Sequence, residues 1–80
     1  MNVAQTFEIE YNAEGDKFTT SIFQLLQWKY GLKLEKEGMK MKGGRSISSH
    51  LRRLLGLTRQ ADIKYLEDYI EGILEEVTPL

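Results

Sequence analysis

From residue 63 to residue 77 the large apolar side chains fall at Ile63, Leu66, Ile70, Ile73, Leu74 and Val77. Spacings of three and four bring all six to one side of an α-helix and to no single face of a strand. No other segment is as regular, and a helix with one apolar stripe has to bury it against another element. The rest of the chain therefore has to supply the cover. Thr58 offers a capping side chain ahead of this helix and Pro79 follows its end, the usual boundary signals.

Two further helices are predicted upstream. Ser21 and Gln24 have capping-box spacing, residues 22–37 are almost all good helix formers, and Gly38 is placed to end the segment in a left-handed conformation. The long helix is thus expected over residues 21–37. Its wheel changes character halfway: Ile22, Leu25 and Leu26 form a stripe that Lys29, Lys33 and Lys36 then continue. After Gly43 and Gly44, Ser46 is the expected cap of a short helix with stripe Ile47, Leu51, Leu54 and Leu55 and terminator Gly56.

At the N-terminus, Val3, Phe7, Ile9 and Tyr11 alternate with Thr6, Glu8 and Glu10, a strand pattern. A lone strand leaves its backbone groups unpaired, so it pairs or lies extended on the helices; residues 12–16 read as a turn. The fold expected is mainly α: an extended N-terminal segment, a long helix, a glycine-rich basic loop and two further amphipathic helices. The alternative is α+β, in which period-two alternation over residues 32–42 forms a hairpin that the N-terminal strand joins in a small antiparallel sheet. Leu, Lys, Glu and Met predominate there and no β-branched or aromatic residue occurs, which favours helix.

Eighty residues make one small domain spanning 1–80, able to bury only about 60% of its unfolded surface. The chain has no cysteine, which removes disulfides, thiolate metal sites and thiol catalysis. No signal-like start or membrane-length apolar run is read, so a cytoplasmic protein is expected.

Charge is strongly segregated. Residues 1–28 sum to -3, residues 29–59 to +7 and residues 60–80 to -5, within a net charge of -1. Such asymmetry is an argument about partners. The basic candidates are Lys29, Lys33, Lys40, Lys42, Arg45, Arg52 and Arg53, suited to nucleic-acid phosphates by backbone contact without base readout. Trp28 and Tyr30 are available for stacking, or for the core. Gly38 and Gly43 carry the glycine spacing of a phosphate loop, but Gly44 stands at the lysine position and Arg45 at the hydroxyl position, so nucleotide hydrolysis is set aside. What survives is a possible anion site where the second helix begins, among Lys40, Lys42 and Arg45.

The third helix sets Glu67, Glu71 and Glu75 in a row four residues apart, a like-charge arrangement that calls for a positive partner. Arg45, Arg52 and Arg53 are the expected ones, within one chain or across a dimer. The acids also make that helix a poor reading head for a helix-turn-helix. Tyr65 and Tyr69 flank its stripe and suit an interface edge. His50 has no co-ligands for a metal, and the serines beside it have no base and oxyanion site, so no catalytic residue, cofactor or small-molecule substrate is assigned. Two readings follow: a non-enzymatic binding module that contacts nucleic-acid phosphates through the basic middle, or a protein-interaction or homo-oligomerisation module using Tyr65, Tyr69, Glu67, Glu71 and Glu75.

Overall fold

A computed structural model of the protein describes residues 4–11, 14–39 and 46–78. In chain order these form strands β1 (Thr6–Glu10) and β2 (Lys17–Ser21) and helices α1 (Ile22–Lys36), α2 (Ile47–Leu55) and α3 (Ile63–Val77). The architecture is mainly α with a small two-stranded antiparallel sheet.

The expected N-terminal strand exists, and its partner is β2. Thr6 stands opposite Ser21 and Glu10 opposite Lys17, and the Tyr11 amide donates to the Asp16 carbonyl at 3.0 Å to begin the connection. Phe18, Thr19 and Thr20 are the aromatic and β-branched types that pleated backbone favours. The hairpin considered at residues 32–42 is not formed by its first arm: residues 32–36 belong to α1, where Leu32 is fully buried, while residues 40–42 lie outside the described residues. Helix formers there kept the backbone helical.

Local signals set the helix ends. Ser21 accepts from the Gln24 amide at 3.1 Å, and Gly38, at φ +88°, lets the Gly38 and Met39 amides turn back onto Glu35 and Leu34. Ser46 caps α2 and Gly56 ends it at φ +67°. One boundary is corrected: Asp62, not Thr58, caps α3, accepting from the Tyr65 amide at 2.8 Å. Thr58 instead holds a turn, its hydroxyl accepting from the Gln60 amide and its carbonyl from Ala61. Asp62 directly precedes the first residue of the stripe and places a carboxylate at the positive helix end.

Helix α1 is the central element. Its Ile22, Leu25, Trp28 and Leu32 meet Leu66, Ile70, Ile73 and Leu74 of α3 and Leu51 and Leu55 of α2 in the core. Trp28 also packs against Phe18 of β2, ring centroids 6.2 Å apart. Gly31 allows α2 to come close: a Cβ there would stand 2.8 Å from Ile47 Cγ1. Among the described residues no helix is long and apolar enough to cross a membrane.

Candidate functional site

The acidic row of α3 does meet positive charge, but from α1. Lys29 pairs with Glu71, and Lys36 with Glu67 at 3.5 Å. The first pair joins an early residue of α1 to a later residue of α3 and the second does the reverse, so the two helices run antiparallel. These contacts are solvated, with the Lys29 and Glu71 side chains 48% and 43% exposed, and each contributes under about 1 kcal/mol. Lys64, the lone base of α3, pairs locally with Asp68.

Within one chain, the expected pairing of Arg52 and Arg53 with that row is not formed. Arg52 Nε donates to the Ala61 carbonyl at 2.6 Å, tying α2 to the turn before α3, and Arg53 is exposed. Neither has a carboxylate partner among the described residues. The core seats α1, not α2, beside the acidic flank, which is why lysines answer the glutamates. Lys40, Lys42 and Arg45 lie outside the described residues. Of the seven basic candidates the structure thus places four, two on α1 and two on α2, and Lys29 already faces Glu71.

The start of α2 was the expected anion site, and an anion is there: the carboxylate of Glu35. Its Oε1 accepts from the Ser48 amide at 3.3 Å and its Oε2 from the Ser48 hydroxyl. Ser46 Oγ accepts from the Ser49 amide at 3.2 Å. Amides of the first turn are thereby satisfied from within the chain, and Ser48 is only 4% exposed. An external phosphate would have to displace a carboxylate held by two hydrogen bonds.

The tyrosines divide. Tyr65 is 50% exposed, whereas Tyr69 donates its hydroxyl to the Tyr11 carbonyl at 3.2 Å and closes the hairpin against α3. Burial, and secondarily Tyr65 and Tyr11, holds the Tyr69 phenol above the ordinary tyrosine value. An ionised Tyr69 could not donate this bond. His50 is exposed beside Trp28, ring centroids 6.4 Å apart, and among the described residues no group of three or more His, Cys, Asp or Glu is placed to hold a metal ion.

One feature escaped the sequence reading. Phe23, Leu26 and Tyr30 are 54%, 46% and 57% exposed, and with half-buried Leu34 they follow spacings of three, four and four. At 100° per residue they fill an arc of roughly 80° on the side of α1 opposite its core residues. Helix α1 is apolar on two opposite faces. The signal was present in the wheel, where Leu26 leans away from Leu25 toward Tyr30, but pattern alone does not say which face the chain can cover. Shallow grooves on the flank toward α3 share Leu26 and Lys29; one continues past Tyr30 and Lys33, the other past Leu74 and Glu75. No protein-family model, curated protein or solved structure matches the chain.

Proposed function

We propose that the protein is a non-enzymatic interaction module that engages a protein partner through the outer face of α1. The supporting observation is the exposed stripe of Phe23, Leu26 and Tyr30. Helix α1 is apolar on two faces, and among the described residues the other elements pack on the inner one. A contiguous exposed aromatic and aliphatic patch is what protein interfaces are built from. The lack of cysteine fits a reducing, cytoplasmic setting.

The competing reading, phosphate contact by the basic middle, has less support. Lys29 and Lys36 are engaged by Glu71 and Glu67, and Glu35 already sits at the start of α2. A photoreactive side chain placed at Tyr30, compared with one at exposed Gln60, tests the choice in native cells. Protein adducts at Tyr30 that are lost with Leu26→Glu are expected. Equal protein labelling at both positions, or adducts to nucleic acid alone, would overturn the proposal, the latter in favour of phosphate contact.

A further inference from the structure

The hairpin ends its sheet at an open strand. Phe7 stands opposite Thr20 and Ile9 opposite Phe18, and the Tyr11 amide donates to the Asp16 carbonyl. Hydrogen-bonded pairs alternate along an antiparallel ladder, so Phe7, Ile9 and Tyr11 turn their amides and carbonyls to β2, whereas Thr6, Glu8 and Glu10 turn theirs away from it. Among the described residues β1 has no second strand beside it. Burial falls off in the same direction. On the face toward the helices, Phe18 and Thr20 of β2 are 8% and 4% exposed, but Phe7 and Ile9 of β1 are only half-buried against the core. On the opposite face Glu8 and Glu10 are exposed. Lys17 stands across from Glu10, yet neither glutamate nor Lys17 is in an ion pair among the described residues.

From these three features we infer that the free edge of β1 docks an extended segment of a protein partner, which adds as a third, antiparallel strand and carries lysine or arginine at every second position between apolar residues. Strand addition satisfies the outward amides and carbonyls of Thr6, Glu8 and Glu10, and the antiparallel ladder is the more stable of the two. It sets each basic side chain directly opposite Glu8 or Glu10, where opposite charges across strands attract. The apolar side chains fall on the other face, beside Phe7 and Ile9, and extend the layer that thins there. A hairpin of two strands is marginal by itself, so the third strand completes a sheet as well as an interface. A second β1 does not suit this edge: fully overlapped and antiparallel, it would set Glu8 against Glu8 of the other copy, a repulsive pair. The edge uses none of Phe23, Leu26 and Tyr30, so it is a surface separate from the outer face of α1.

Titration of the capped peptide Lys-Val-Lys-Val-Lys into isotope-labelled protein, followed by NMR, tests this. Shift changes centred on Thr6, Glu8 and Glu10 are expected, with a dissociation constant below about 1 mM. Glu-Val-Glu-Val-Glu should bind about tenfold more weakly. N-methylation of the peptide lysines, whose amides face β1, should abolish binding, and N-methylation of the valines, whose amides face away, should leave it. A variant carrying both Glu8→Lys and Glu10→Lys, shown to be folded by circular dichroism, should invert the preference between the two peptides. No binding of the basic peptide up to about 1 mM would overturn the docking edge. Equal binding of the basic and acidic peptides would overturn the basic partner, and equal binding of the two methylated forms would overturn strand addition. Shift changes confined to α1 and lost with Leu26→Glu would place the peptide on the outer face of α1, refuting this inference while leaving the interaction reading intact.

Discussion

Leu25 and Leu26 are neighbours in sequence and identical in chemistry, yet one is fully buried and the other 46% exposed. They stand for the two faces of α1. The inner face lies under α2, α3 and β2; the outer face has the same kind of residues, with Phe23, Leu26 and Tyr30 about half exposed. The difference teaches that apolar character made α1 central without deciding how much of it this chain could cover. Packing decided that, since the core contacts of α2, α3 and β2 lie on the inner side.

The sharpest way to break the comparison is paired truncation. Leu25→Ala should destabilise the chain by about 2–5 kcal/mol, the usual cost of a core cavity, whereas Leu26→Ala should stay within about 0.5 kcal/mol. Urea unfolding at low protein concentration reads both, and similar losses would mean that the outer face is covered within one chain. Next in size is the partly buried polar contact between α1 and α2. Glu35→Ala leaves the Ser48 hydroxyl and amide without their acceptor and should cost about 1–3 kcal/mol, while Glu35→Gln, which keeps an acceptor, should recover much of it. Equal losses for the two variants would show that the charge, not the hydrogen bonds, holds the start of α2.

Gly31→Ala probes the same seam sterically. Alanine gains up to about 1 kcal/mol of helix propensity, but its methyl would meet Ile47 Cγ1 at 2.8 Å, and overpacking of this kind costs about 1–3 kcal/mol. A net loss of about 1 kcal/mol is expected in thermal unfolding. Gly72→Ala, with nothing within 4 Å of the added carbon, should gain up to about 1 kcal/mol. If both alanines stabilise, the seam is looser than its geometry indicates. The smallest effect belongs to the solvated rim between α1 and α3: Lys29→Ala should cost under about 1 kcal/mol, and less as salt rises. A larger, salt-insensitive loss in a denaturation series would mark that pair as buried and structural.

What was legible in the sequence was local. Ser21 and Gly38, Ser46 and Gly56 bound their helices as expected because a cap acts within four residues. The stripe of α3 was readable for the same reason. The start of α3 was not, because Thr58 and Asp62 are both capping types and only the turn held by Thr58 separates them. Strand β2 was missed because Phe18 is its one large apolar residue, and its other claim to be a strand is pairing with β1. In the candidate site, the acidic row announced its need for a cation, but lysines and arginines were equally available until packing placed α1 beside it. Glu35 reaching Ser48, 13 positions away, leaves no periodic trace at all.

The bond from Tyr69 to the Tyr11 carbonyl joins positions 58 apart in sequence and bears on the order of events in folding. The hairpin and α1 form from neighbouring residues, whereas this contact has to close a long loop, whose entropy weighs against it early. It is expected to form after the rate-limiting step, as a latch fastening the last helix onto the first strands. Tyr69→Phe should then speed unfolding and leave refolding unchanged in stopped-flow measurements. A slowed refolding rate would instead make the docking of α3 part of the nucleus.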